Sequence, residues 1–118
     1  RQLRMRDEAN AMRSATEQEL AALRLRVRSE LAAALEEART ARRLVQLYGG
    51  SLVPQALATY EASLAAYRVG RVDFPTVLEA QTALLMYEHD LHRFEAMYGT
   101  ASAMIDRLTG TSFGEGRR

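Results

Sequence analysis

Residues 67–81 read YRVGRVDFPTVLEAQ, and this stretch decides the fold because it interrupts a chain otherwise rich in helix-forming residues. Gly70 suits the end of one helix, since a residue without a Cβ adopts the left-handed conformation without a clash. Asp73 suits the N-cap of the next helix, and Pro75 suits its first turn, where a missing N–H has no consequence. The stretch therefore predicts a tight turn between two helices.

The turn also carries apolar side chains, which a plain surface turn does not need. Val69, Val72 and Phe74 lie among the capping residues, close to Arg68 and Arg71. Helix capping explains none of these side chains. A hairpin tip that combines apolar and Arg side chains is typical of a surface that contacts another molecule.

Helix-forming residues dominate on both sides of the turn, and no segment alternates apolar and polar residues as a strand does. We predict helices over about residues 2–48, 52–69 and 75–108, with a break at Gly49-Gly50. Residues 111–118 are Gly-rich and charged, so we expect a flexible C-terminal tail.

Apolar residues in these helices recur at alternating steps of three and four, the heptad pattern of helices that pack lengthwise. The last helix carries them at Val77, Ala80, Leu84, Tyr87, Leu91, Phe94, Tyr98, Ala101, Ile105 and Leu108. The earlier helices carry them at Val27, Leu31, Ala34, Ala38, Ala41, Val45 and Tyr48, then at Val53, Leu57, Tyr60, Leu64 and Tyr67. The step from Tyr48 to Val53 is five, so the register slips at the Gly-Gly pair. The predicted fold is all-α, a long antiparallel coiled-coil-like helical hairpin.

Composition narrows the function classes. The 118 residues fit one domain or a piece of a longer protein, and an opening RQLRMRDEAN without an initiator Met favours the piece. Sixteen basic residues, all Arg, balance fifteen acidic ones, so no global field favours nucleic acid. The basic residues of the first helix are interleaved with Glu, as on a salt-bridged exposed face. There is no Cys, and no apolar run approaches the roughly 20 residues that span a bilayer.

Catalytic and metal-binding patterns are weak. The segment EHDLH, residues 88–92, places His89 and His92 three apart, as zinc ligands on one helical face can be. The heptad pattern turns Tyr87 and Leu91 inward, which leaves both histidines outside without a third ligand. We expect no enzyme activity, no metal site and no cofactor.

Helix lengths set the expected shape. At about 1.5 Å per residue, residues 2–69 span roughly 100 Å and the returning helix about 50 Å. If the Gly-Gly pair stays nearly straight, the first half of the first helix has no partner in its own chain, and the chain should self-associate. If the pair bends sharply, the chain closes into a compact three-helix monomer.

Residues 52–91, LVPQALATYEASLAAYRVGRVDFPTVLEAQTALLMYEHDL, with the closing LTG of residues 108–110, resemble the C-terminal repeat of TolC-like outer-membrane efflux proteins. The matching marks are LVPQA, the AAYRxG tip and the following VLEAQ, and residues 52–82 are the most specific part. The Ala- and Arg-rich helix before residue 50 fits the long helix that precedes this repeat. The RVDF form of the tip is similar to the heavy-metal cation branch.

The resemblance implies a homotrimeric channel whose β-barrel crosses the outer membrane of a Gram-negative bacterium and whose α-helical tube extends into the periplasm. The present chain would form part of the tunnel wall, without the barrel strands and the first repeat. Its partners would be a periplasmic adaptor protein and, through the adaptor, an inner-membrane transporter. No nucleic acid is involved.

The resemblance also implies roles for individual residues. The adaptor-docking tip matches Tyr67, Arg68, Val69, Gly70 and Arg71. Thr76 and Glu79 match two positions that are acidic in some members and line the closed tunnel constriction. Thr at the first of these departs from a double acidic ring.

Two alternatives belong to a different class. The chain also fits a free-standing helical-bundle interaction module, or the coiled-coil hairpin of an adaptor protein. Flanking strands and a signal peptide in the parent protein would favour the channel, whereas an upstream soluble domain would favour the module.

Overall fold

A computed structural model describes residues 1–110 of the chain, and every regular element in this part is helical. Helix α1 covers Gln2–Leu47, a π-helical turn covers Tyr48–Leu52, α2 covers Val53–Arg68 and α3 covers Phe74–Thr109. Each predicted helix bound lies within one residue of these. The predicted all-α hairpin is confirmed, while the predicted tail at 111–118 lies outside the described residues.

The predicted break at Gly49-Gly50 is wrong, because the chain passes through the pair as a continuous helix. Leu47, Tyr48, Leu52 and Val53 all have right-handed helical backbone angles. The Val53 amide donates to the Tyr48 carbonyl, an i→i+5 bond that adds one residue to the turn.

This bond joins the two residues between which the heptad pattern takes its step of five. The π turn absorbs the extra residue, so Tyr48 and Val53 both remain half-buried on the hairpin side. The register slip seen in the sequence is therefore real, and one π-helical turn accommodates it. Glycine tolerates this geometry, and a Cβ on Gly49 would meet only the Leu91 methyl groups, at 3.5 and 3.7 Å.

The molecule is a long, thin plate. Its principal extents are 99 × 38 × 15 Å and its radius of gyration is 26.9 Å, against about 13 Å for a compact domain of 100 residues. The compact three-helix alternative is therefore wrong, and the extended one describes the chain. The shortest extent is close to the diameter of a single helix with its side chains, about 10–12 Å.

The core is a narrow seam of small residues between α3 and the α1–α2 helix. The buried side chains are Ala34, Ala41, Val77, Ala80, Leu84 and Ala101. Alanine allows two helix backbones to approach closely but removes little apolar area from water. Midway along the seam, Tyr48 packs edge-on against Tyr87 and Phe94, with ring centroids 5.9 and 5.1 Å apart.

Three of the predicted seam positions, Leu57, Tyr67 and Tyr98, are exposed, and others such as Leu91 and Ile105 are only half-buried. A hairpin covers one side of each helix, so residues at the edge of a heptad stripe keep contact with water. Every position of the heptad stripe is present in the sequence, but a single partner helix is too narrow to bury all of them.

Beyond the end of α3, no other helix of residues 1–110 covers the first part of α1. All residues from 1 to 26, which we name the N-terminal arm, are exposed. Within residues 1–110, no helix combines the length and the apolar character needed to cross a membrane.

Candidate functional site

The end of α2 is closed by a Schellman motif. Val69 takes the C-cap position, and Gly70 follows in the left-handed region at φ +73°. The Gly70 amide donates to the Tyr67 carbonyl at 3.0 Å, and the Arg71 amide donates to the Ala66 carbonyl at 2.9 Å. These bonds satisfy carbonyls that the end of a helix otherwise leaves unpaired. The predicted role of Gly70 as helix terminator is confirmed.

The start of α3 is held by a side-chain cap. Asp73 has an extended backbone, and its Oδ1 accepts the Thr76 amide at 3.2 Å and the Thr76 hydroxyl at 2.5 Å. The hydroxyl bond, followed by the amide bond, lowers the pKa of the Asp73 carboxyl below its ordinary value of 3.8. Pro75 lies in the first turn, where it costs no hydrogen bond. The predicted N-cap is confirmed.

Between the two caps, the turn exposes an apolar surface, which we name the docking tip and define as residues 67–74. The rings of Tyr67 and Phe74 pack edge-on at 5.9 Å and join the two helices. Val72 is half-buried, but Val69 is 68% exposed and Phe74 is 57% exposed. The caps therefore hold apolar side chains in water, where they contribute nothing to the core.

The charges of the docking tip are two Arg side chains and one carboxylate. Arg68 and Arg71 are exposed, and neither forms an ion pair with any side chain of residues 1–110. Asp73 is already engaged with Thr76 as a cap. The tip thus exposes apolar side chains and two guanidinium groups that have no ion-pair partner among residues 1–110.

Thr76 and Glu79, the predicted constriction residues, lie in the first two turns of α3, and both are exposed. Residues three apart share a helix face. The hydroxyl of Thr76 is occupied by its bond to Asp73, whereas Glu79 forms no ion pair with a described side chain. Of these two residues, only Glu79 carries a charge, and that charge has no ion-pair partner among the described side chains.

The EHDLH segment forms no metal site in the described part of the chain. His89 is exposed, and His92 Nδ1 lies 3.1 Å from Glu95 Oε2, one turn further along α3. Within residues 1–110, no group of three His, Asp or Glu side chains is placed to bind a metal ion.

A second apolar surface lies on the outer side of α3 and was missed at the sequence level. Leu78, Leu85 and Met86 are each at least half-exposed. Leu78 and Leu85 are seven residues apart, and Phe74 lies one turn before Leu78. This spacing was the signal in the sequence for a shared apolar face.

Comparisons with protein-family models, with curated proteins and with solved structures each gave no match.

Replacing the Asp73 cap tests the construction of the docking tip. Asp73→Ala should lower the thermal unfolding midpoint, because the first turn of α3 loses its acceptor. Asp73→Asn should largely retain the midpoint, because Asn is also a good N-cap. Far-UV circular dichroism of the three proteins at neutral pH measures this.

The pH dependence follows from the lowered pKa of Asp73. The carboxylate stabilises the fold above its unfolded-state value of 3.8, and this contribution disappears as the pH falls through the lower folded-state pKa. The difference in midpoint between the wild type and Asp73→Ala should therefore shrink at acid pH. A difference independent of pH would contradict the charged cap.

Proposed function

We propose that this chain is the periplasmic helical segment of an outer-membrane efflux channel subunit, with a role in the tunnel wall and in adaptor docking. The observation that carries the proposal is an extended hairpin whose closed end keeps apolar and Arg side chains exposed. Exposing apolar side chains to water is unfavourable, and these side chains do not contribute to the core. Contact with a partner would explain why they are exposed.

The dimensions of the hairpin support the wall role. A plate 99 Å long and 15 Å thick has the proportions of a wall one helix deep. Its Ala-rich seam allows neighbouring helices to approach closely, and the outer apolar face of α3, around Leu78 and Leu85, offers a surface for a further helix. In the full-length protein, we propose that three subunits complete the tube.

The docking tip defines the chemistry of the proposed adaptor. Exposed Val69 and Phe74 fit an apolar surface, and the free guanidinium groups of Arg68 and Arg71 fit carboxylates or backbone carbonyls. The adaptor would in turn connect the channel to an inner-membrane transporter. Glu79, with Thr76 one turn earlier, would face the tunnel near its constriction.

The coiled-coil hairpin of an adaptor protein is the second candidate. The continuous helix of residues 2–68 and the returning α3 also fit a hairpin that stands on a separate domain. An adaptor and a channel differ in cellular location, and an experiment on the parent protein separates them.

Deletion of the parent gene tests the proposed function. We expect the deleted strain to lose resistance to exported drugs or heavy-metal cations, and a plasmid copy of the gene to restore it. The tagged full-length protein should fractionate with the outer membrane as a trimer. Unchanged resistance to every compound tested, or a protein that fractionates with the inner membrane, would contradict the channel.

A further inference from the structure

The N-terminal arm is a long helical segment that no other helix of residues 1–110 covers. All of its side chains are exposed, and the first half-buried residues of α1 are Val27 and Leu31. Large apolar side chains lie in water along the arm, at Leu3, Met5, Met12, Leu20, Leu23 and Leu25. So many exposed apolar side chains indicate a surface that contacts another molecule.

An 11-residue repeat runs along the arm and into the residues that follow it. Residues 1–11 read RQLRMRDEANA, residues 12–22 read MRSATEQELAA, and residues 23–33 read LRLRVRSELAA. Eleven residues complete three turns of a helix at 3.67 residues per turn, so equivalent positions lie almost directly above one another. The features of one segment therefore recur on the same face of α1.

The repeat aligns an apolar stripe on one side of the arm. Its positions, continued to the first half-buried residue, are Met5, Ala9, Met12, Thr16, Leu20, Leu23 and Val27. The hydroxyl of Thr16 donates to the Met12 carbonyl at 2.9 Å, so the polar group of the stripe is already satisfied. Further along α1, the stripe leads into Leu31 and the buried Ala34. The exposed stripe thus extends an established helix–helix interface.

The end of α3 decides in which direction a second helix can lie on the stripe. Tyr48 packs against Phe94, and both helices rise equally per residue. Thr109, the last residue of α3, therefore lies level with residue 33 of α1. A parallel copy on the stripe would continue along α1 into the space that α3 occupies. An antiparallel copy avoids this space, because it runs off the free end of the arm.

The spacing of the stripe fixes the position of an antiparallel copy. The stripe positions are symmetric about Thr16, so two antiparallel stripes match when their Thr16 residues meet. Met5 then faces Val27 of the other copy, Ala9 faces Leu23, and Met12 faces Leu20. Gln2, the first helical residue of the second copy, lies level with residue 30 and so stops short of α3. Each arm covers the stretch of stripe that α3 leaves open on the other chain.

Charges beside the stripe agree with this position. In an antiparallel pair, each flank of the stripe meets the same flank of the other copy. On one flank, Arg13 comes within two residues, about 3 Å along the axis, of Glu17 of the other copy. On the other flank, Glu8 comes equally close to the level of Arg26, which already holds Glu30 at 3.1 Å. Glu8, Arg13 and Glu17 form no ion pair among residues 1–110.

One pair of like charges opposes the arrangement. Arg6 shares a flank with Arg13, and it comes within two residues of the level of Arg24 of the other copy. Arg6 and Arg13 therefore have opposite expected effects on the association, although they are the same residue type on the same flank.

We propose that the N-terminal arm binds the arm of a second copy of this chain, antiparallel and centred on Thr16, over residues 5–27. The two stripes form the shared core, and the Arg13–Glu17 and Glu8–Arg26 contacts set the register. The two docking tips lie at opposite ends of the resulting dimer. The proposal concerns the 118-residue chain, rests on the arm alone and does not depend on the channel function.

Sedimentation equilibrium of the 118-residue protein tests the association. We expect a reversible dimer, weakened at least about a hundredfold by Leu20→Glu, which places a charge in each stripe. Leu25→Glu, on the opposite side of the arm, is the matched control and should dimerise like the wild type. A wild-type monomer at every concentration, or equal losses in both variants, would overturn the proposal.

Small-angle X-ray scattering of the dimer tests the orientation. Each chain is 99 Å long and the two share about 31 residues, or about 46 Å, so the dimer should measure about 150 Å in its longest dimension. Copies that lie side by side would keep a longest dimension close to that of one chain. A dimer about as long as a single chain would overturn the antiparallel arrangement.

Introduced cysteines report the register, since the native chain contains none. Under mild oxidation, a mixture of the Ala9→Cys and Leu23→Cys proteins should form a mixed disulfide dimer, because the two positions face each other. Either protein alone should stay largely unlinked, since its two cysteines lie about 21 Å apart along the axis. Efficient linking of either variant alone, or no linking in the mixture, would overturn the register.

Two Arg→Glu changes test the assigned charge contacts. Arg13→Glu should weaken dimerisation about tenfold, because the new carboxylate meets Glu17 of the other copy. Arg6→Glu should strengthen dimerisation about fivefold, because it replaces a like-charged contact with Arg24 by an oppositely charged one. The two variants have the same net charge, so each is the control for the other. Changes of both affinities in the same direction would overturn the assigned contacts.

Discussion

Leu84→Ala should lower the free energy of unfolding by about 2–5 kcal/mol, the range for removing a buried Leu side chain. Leu84 is 8% exposed and is one of the two large apolar side chains, with Val77, that the hairpin buries. The rest of the buried seam is alanine, so the loss of one Leu removes a large share of the apolar contact. Urea unfolding followed by circular dichroism measures the change.

Leu85→Ala is the matched control, with the same chemical change one residue further along α3. Leu85 is 57% exposed, so its truncation should cost less than about 0.5 kcal/mol. Both variants must be compared at one protein concentration, because any self-association would add to the apparent stability. Equal losses at both positions would mean that α3 faces its partner with a different side.

The hairpin could be predicted from the sequence because its signals are local. Gly70 and Asp73 are capping residues whose roles depend on backbone geometry within one turn, and both have the predicted role. The heptad steps of α1 and α3 predicted that the two helices pack lengthwise, and the tight turn makes that packing antiparallel. Local propensity and long-range packing point to one structure here, as in a well-specified fold.

The predicted break at the Gly-Gly pair was wrong because a glycine can either end a helix or be tolerated within one. Each Gly in a helix costs up to about 1 kcal/mol, which favours a break. That cost is offset when the helical segments before and after the pair pack against one partner helix. Tyr48, next to the pair, packs in this way against Tyr87 and Phe94 of α3. The five-residue step from Tyr48 to Val53 was the better signal, since it matches an i→i+5 turn.

The docking tip was predicted in part. Capping accounted for Gly70 and Asp73 and left three apolar residues without a role. The structure gives Val72 partial burial and pairs Phe74 with Tyr67, but Val69 remains in water. Sequence spacing could not separate these cases, because burial at a hairpin end depends on how far one helix extends past the other.

If the chain has the proposed channel function, Arg71→Glu in the full-length protein should abolish efflux while the proposed trimer remains at its normal level in the outer membrane. Arg71 is exposed and forms no ion pair with a side chain of residues 1–110. Reversing its charge should therefore change the folding stability by less than about 1 kcal/mol. If the partner binds the Arg71 guanidinium through carboxylates, the introduced Glu would place a like charge against those carboxylates. Arg43 is also exposed and lies on α1, far from the tip, so Arg43→Glu is the matched control and should leave efflux intact.

Gly70→Val separates the backbone role of the tip from its role in contact. A β-branched residue at φ +73° should cost about 1–2 kcal/mol in strain. Among residues 1–110, nothing lies within 4 Å of a Cβ placed on Gly70, so the substitution causes no clash with them. If the trimer survives this strain and efflux is still lost, the added side chain must obstruct a close approach from outside. Resistance assays beside outer-membrane trimer levels make the distinction, and wild-type efflux in both Gly70→Val and Arg71→Glu would reduce the docking tip to a turn between two helices.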